Sequence, residues 1–178
     1  LSCKGCKSDC PTNVDIARYK TEFLYRHYQK YARSLMDLMI GRIGDWLPMA
    51  TRASPVLNYA MGNPVVRAVG AVFGLAATVK FPKIARQSFR AGNTAKRLLK
   101  GQANDHKPEV LLWVDSFNNG FTPAVLEAGV EVLEKLGFNV TLMQRHICCG
   151  RPYYDVGMLD LAKANLEMIL QHLALPLS

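Results

Sequence analysis

The sequence lacks the roughly 20 uninterrupted apolar residues that a membrane-spanning helix requires. Its most apolar part, residues 56–79, has Arg67 near the middle, is broken by Asn58, Asn63 and Pro64, and is weakened by Gly62, Gly70 and Gly74. It reads as one or two buried or amphipathic helices, with contact at a membrane surface as the other use of such a stretch. No charged segment leads into an apolar one at the start, so no signal peptide is read. Internal repeats and low-complexity segments are also missing. With 49% hydrophobic and 20% charged residues, the composition is that of a globular chain and excludes disordered and collagen-like classes. Acid is scarce in the first part: residues 1–107 hold 18 of the 22 Lys and Arg but 6 of the 14 Asp and Glu, and only residues 108–178 are net acidic. Such asymmetry predicts two units with different surroundings. The basic part suits an acidic region of its own protein; no nucleic-acid motif accompanies it, so no nucleic-acid partner is expected.

Cysteine is present in an odd number, five, which argues against a plain disulfide framework. None is scattered. Cys3, Cys6 and Cys10 fall within eight residues with Pro11 after the last, and Cys148 and Cys149 are adjacent and followed by Gly150. Clustered thiols point to metal and to a reducing compartment, the cytoplasm. The gaps Cys3-x2-Cys6-x3-Cys10-Pro11 match the tail of the C-x2-C-x2-C-x3-C-P run that ligates [4Fe–4S] clusters. The preceding ligand of that run would lie just before Leu1, so the chain is expected to be a piece of a longer protein. By the two-cluster rule Cys3 and Cys6 serve one cluster and Cys10 its neighbour. Gly5 allows close backbone approach to sulfur, and Lys4 and Lys7 offset cluster charge. Zinc in place of iron is the competing occupant, although no second Cys or His pair follows at a suitable distance.

The coarse elements place these residues. Residues 1–12 read as a loop, Asp15 as an N-cap, and 16 to about 31 as a helix whose Ile16, Phe23, Leu24, Tyr28 and Tyr31 form one apolar face. A second helix is predicted over 35–47, stopped by Pro48, and Pro55 and Pro64 each open another. Residues 81–108 read as a basic connector with Asp105 its only acid, and Gly101 to Asp105 as a boundary. The apolar run 110–114 then reads as a buried strand, 123–136 as a helix ended by Gly137, 139–143 as a second strand, and 158 to about 173 as a helix. This is a βαβ unit with a parallel pairing. The expected fold is α+β: a helical cluster-binding part over 1–104, and a small α/β domain over 105–178.

Cys148 and Cys149 follow the second strand, at the carboxyl edge where α/β sheets place ligands. They are candidate metal ligands. His146 and Asp115, the latter at the end of the first strand, are weaker candidates; Asp115 serves equally well as an N-cap, and Arg151 is placed to lower the thiol pKa. A reactive redox thiol pair is the third use of these two cysteines.

The segments Cys3-Lys4-Gly5-Cys6-Lys7-Ser8-Asp9-Cys10-Pro11-Thr12-Asn13-Val14-Asp15, Trp113-Val114-Asp115-Ser116-Phe117 and Cys148-Cys149-Gly150-Arg151-Pro152 occur in that order. Together they resemble the iron–sulfur C-terminal region of fused FAD-linked oxidases, similar to bacterial D-2-hydroxyacid dehydrogenases of the D-lactate and D-2-hydroxyglutarate type. The glycolate oxidase iron–sulfur subunit and the cysteine-rich (CCG) domain of heterodisulfide reductase subunits are more distant. The resemblance implies a ferredoxin-like dicluster part with Cys3, Cys6 and Cys10 as [4Fe–4S] ligands, followed by a CCG domain in which Cys148 and Cys149 hold a second cluster or zinc. It further implies an upstream FAD domain that carries the hydroxyacid site. Electrons would pass from flavin through clusters to a quinone or another carrier, with peripheral contact at the inner face of the membrane. Where the CCG pattern has a lone cysteine before the pair, this chain has Asp115. The reading from another class is a zinc-stabilised basic module that binds nucleic acid or a membrane surface.

Overall fold

A computed structural model describes residues 5–7, 9–72, 81–101 and 107–174. Its elements are mostly helices, with one small parallel sheet among the described residues, consistent with the α+β expectation. The packing divides the chain into a split unit, residues 1–43 with 149–178, and a central unit, residues 44–148.

In the central unit, β1 (Glu109–Leu112) pairs in parallel with β2 (Asn139–Leu142), Val110 opposite Val140 and Leu112 opposite Leu142. Between them run α7 (Ser116–Gly120) and α8 (Pro123–Lys135). Pro123 opens α8 in the first turn, where its missing N–H costs nothing. Gly137, at φ +90°, closes it in the left-handed region that favours glycine. The first strand ends at Leu112 instead of 114, because Val114 and Asp115 already turn into α7, a helix that the apolar pattern did not reveal.

The segment read as a basic connector is part of this core. Phe89, in the turn Phe89–Ala91, and Ala95 and Leu98 of α6 (Asn93–Leu99) pack with Val114, Leu126, Val130, Val140 and Leu142. Cations dominate the composition of 81–101, but they alternate with apolar residues at helical spacing, so α6 buries one face and leaves Lys96 and Arg97 outside. Before it, α3 (Ile43–Ala50), α4 (Ser54–Gly62) and α5 (Pro64–Val72) follow in succession. Pro55 and Pro64 do sit at helix starts. Leu47 of α3 is fully buried, and a Cβ on Gly120 would come within 2.6 Å of its Cδ2.

In the split unit, α1 (Ile16–Lys30) begins where Asp15 caps it: Asp15 Oδ1 accepts from the Arg18 N–H at 3.0 Å. The buried line of α1 is Ala17 and Thr21, with Leu24 and Tyr28 half-buried. Ile16, Phe23 and Tyr31 are exposed, which corrects the apolar face read from spacing. Farther along α1 the chain around Gly157 comes close: a Cβ on Gly157 would stand 2.7 Å from both Leu24 Cβ and the Tyr25 N.

The predicted single helix over 35–47 is two, α2 (Leu35–Gly41) and α3, and Pro48 lies inside α3 instead of ending it. The break at Arg42 has a packing cause. Gly41 abuts Val156 and Met158, so α2 belongs to the split unit, whereas Gly44 and Leu47 pack in the central one. Helices α9 (Arg151–Asp155) and α10 (Leu159–Ala174) complete the split unit, with Tyr153, Val156 and Met158 clustered between them.

Candidate metal-binding sites

The first candidate site follows from a short polar loop. Gly5–Lys7 forms one 3-10 turn, and the Asp9 N–H donates to Gly5 O at 3.1 Å. The Asn13 N–H donates to Cys10 O at 3.1 Å, closing a turn that holds Asn13 at φ +56°, a conformation an asparagine tolerates better than most residues. That turn directs polar groups at the Cys10 sulfur. Thr12 Oγ1 lies 3.2 Å from Sγ, and this hydrogen bond, with those from the Val14 and Thr12 backbone N–H groups, lowers the thiol pKa. Lys7 Nζ meets Asp15 Oδ2 at 3.3 Å, which ties the loop to the start of α1. Cys10 is thus a thiol whose surroundings favour the thiolate, the form that ligates iron or zinc. Cys3 lies outside the described residues, as does the side chain of Cys6.

The second candidate site lies at the carboxyl ends of β1 and β2. The chain leaves β1 at Asp115 and Ser116, and leaves β2 towards His146 and Cys148. Ser116 Oγ stands 3.2 Å from His146 Nε2. Cys148 is buried, and α3 approaches it so closely that a Cβ on Gly44 would lie 2.7 Å from Cys148 Cβ, 2.9 Å from its Sγ and 3.4 Å from Ser116 Oγ. Gly44, Ser116, His146 and Cys148 therefore converge within the central unit. The loop after β2 is held by Arg90, whose Nη2 donates to Met143 O at 3.0 Å and Gln144 O at 2.7 Å. Burial lowers the Arg90 pKa.

His146 is pushed below the ordinary histidine pKa, first by burial and then by the Arg90 charge, with Asp115 opposing. Its Nδ1 is buried without a hydrogen-bond partner among the described residues. The unused imidazole nitrogen and the buried Cys148 thiol are donors of the nitrogen and sulfur types that zinc and iron–sulfur centres use. Asp115 does not join it on this geometry. Its Oδ1 accepts from the Asn118 N–H at 2.9 Å and its Oδ2 from Asn118 Nδ2 at 2.8 Å, so the carboxylate caps α7. Among the described residues no three His, Cys, Asp or Glu side chains gather tightly enough to hold an ion.

Cys149 is exposed and begins the second stretch of the split unit. Gly150 follows at φ +80°, where a Cβ would stand 3.0 Å from Asn165 Nδ2. Arg151 Nε bonds Asp155 Oδ2 at 3.4 Å, an i,i+4 pair along α9. Gly44, Ser116, Arg90 and Thr12 were not singled out from the sequence. Ser116 and Thr12 are neighbours of predicted site residues and within reach of such reading. Gly44 and Arg90 come from distant parts of the chain, and no local pattern marks them.

No family model matches the chain, and no solved structure matches it. Among characterised proteins, it is 28% identical to D-2-hydroxyglutarate dehydrogenase of Pseudomonas putida KT2440 over 98% of its own length. It is 26% identical to the protein of the same name from Escherichia coli K12 over 80% of its length. A shorter part, 35% of the chain, is 33% identical to lactate utilization protein A of Bacillus thuringiensis Al Hakam and covers 26% of that protein. The resemblance to a region of D-2-hydroxyacid dehydrogenases is borne out. The chain spans 18% and 15% of the length of the two dehydrogenases.

Proposed function

We propose that this chain is the electron-transfer, iron–sulfur portion of a larger FAD-linked oxidoreductase similar to D-2-hydroxyglutarate dehydrogenases. The observation that carries the reading is the thiol at Cys10, turned towards its ionised form by Thr12 and two backbone N–H groups, in a spacing of cysteines that suits [4Fe–4S] ligation. Such clusters, when bound, accept and release one electron at a time.

The chain's own residues have distinct parts in this. Cys3, Cys6 and Cys10 supply thiolates in a ferredoxin-like loop. The N–H groups of Thr12 and Val14 and the Thr12 hydroxyl donate to the Cys10 sulfur, which disperses its negative charge. Lys7, held by Asp15, adds positive charge at the loop. At the sheet edge, in a CCG-type domain, Cys148 and Cys149 supply two further thiolates, to a cluster or to zinc. Ser116 holds the His146 imidazole at Nε2, and Arg90 holds the loop that carries it. The flavin domain and the hydroxyacid site lie elsewhere in the larger protein. The acceptor is a quinone or another carrier, reached at the inner face of the membrane.

The test is Cys10→Ser in the full-length protein, purified without oxygen. The reading expects the visible thiolate-to-iron absorption to fall and the electron paramagnetic resonance signal of one reduced cluster to vanish, with the fold retained by circular dichroism. Unchanged spectra would remove Cys10 from the ligand set.

A further inference from the structure

We infer that the exposed face of α4 and α5 is a docking surface for an anionic lipid bilayer. Both helices leave large apolar side chains in solvent: Val56 and Tyr59 on α4, and Val65, Val66, Val69 and Val72 on α5, with Tyr59 80% and Val72 83% exposed. Val65, Val69 and Val72 recur at i, i+4 and i+7, so they form one stripe along α5. The two helices pack on each other, and Asn63, whose Oδ1 accepts the Val65 N–H at 2.9 Å, caps the turn between them. Exposed apolar side chains grouped on two packed helices mark an interaction site.

Charge decides what that site faces. Residues 46–104 contain no Asp or Glu but nine Lys and Arg. Of these, Arg90 is engaged on the loop after β2 and Arg97 on Glu134 at 2.7 Å. Arg52 is exposed in the 3-10 turn Thr51–Ala53 that leads into α4. Asn58 bonds Ile84 in both directions, its Nδ2 donating to Ile84 O at 2.8 Å and its Oδ1 accepting the Ile84 N–H at 2.9 Å. That clamp brings the exposed Phe81, Lys83 and Arg86 alongside α4.

A valine and aromatic face rimmed by cations and free of acid is the pattern of a helix pair lying in a bilayer interface, apolar side down, with cations at lipid phosphates. Nucleic acid would use the cations but leave the valines in water. No helix among the described residues is long and apolar enough to cross a membrane, so the contact is in the plane of the surface.

This inference specifies the membrane contact in the reading above and rests on it, but not on iron content, so the two fail separately. The experiment is flotation of the full-length protein with vesicles of phosphatidylcholine alone or of phosphatidylcholine and phosphatidylglycerol in equal amounts. The protein should float with the anionic vesicles only, and less so as salt is raised. Val69→Asp with Val72→Asp should weaken binding about tenfold or more, and Arg52→Glu with Lys83→Glu should do the same. All four positions are exposed or at the helix end, so the visible spectrum should not change. Flotation equal for the two vesicle types, no flotation, or binding that survives both pairs of substitutions would overturn the inference.

Discussion

Gly44 shows how a residue with no chemistry of its own governs a thiol. Its missing Cβ leaves the space that Cys148 and Ser116 occupy, so Gly44→Ala must push one of them away. Overpacking of this kind costs about 1–3 kcal/mol. The variant is expected to melt at lower temperature, and metal analysis should show loss at the Cys148 site before the Cys10 loop. Asp115 makes the converse case. Because Oδ1 accepts the Asn118 N–H and an asparagine oxygen can do the same, Asp115→Asn should keep the cap and the metal content, whereas Asp115→Ala should cost about 1 kcal/mol through the lost cap. Loss of metal in Asp115→Asn would show that the carboxylate is a ligand.

Asp15 gives a pH dependence. The Arg18 N–H, then Lys7, hold its carboxyl below the usual carboxylate range. A carboxyl lowered in the folded state contributes stability above its ordinary pKa and loses it as pH falls through the folded value. Acid should therefore fray the start of α1, and a pH series of circular dichroism on Asp15→Ala should lack that component. At this scale the sequence is informative where chemistry is local: the Asp15 cap, the cysteine spacings and Gly137. It is silent on Gly44 and Arg90, whose roles depend on partners some hundred and some fifty residues away.

Among elements, those bounded by strong local signals stand where the pattern puts them. Helices α4 and α5 start at prolines, α8 runs from Pro123 to the turn at Gly137, and the two strands pair in parallel. Three departures involve tertiary packing. The helix expected over 35–47 breaks because its halves pack in different units. Ile16, Phe23 and Tyr31 of α1 face solvent while Ala17 and Thr21 form its buried line, and Gly157 packs against Leu24 and Tyr25. Residues 89–99 join the core although their charge suggested a connector. Phe89, which is 1% exposed, measures the last point. Phe89→Ala should cost about 3–5 kcal/mol in denaturant unfolding, as for a core aromatic. A change near zero would return the segment to the status of a linker.

In the whole molecule, charge asymmetry and the two cysteine clusters announced more than one unit. Packing groups residues 1–43 with 149–178 in one unit and residues 44–148 in the other, so chain segments distant in sequence share a unit. Periodicity reports what each element buries, not which distant element it is buried against. The proposed function requires iron–sulfur clusters held by the cysteines of this chain. The most direct test is the iron, zinc and acid-labile sulfide content per chain of the full-length protein, purified without oxygen. The account predicts iron and sulfide in equal amounts, at about eight or more of each for two or more four-iron clusters. Zinc without sulfide would contradict it and leave a zinc-stabilised basic binding module in its place.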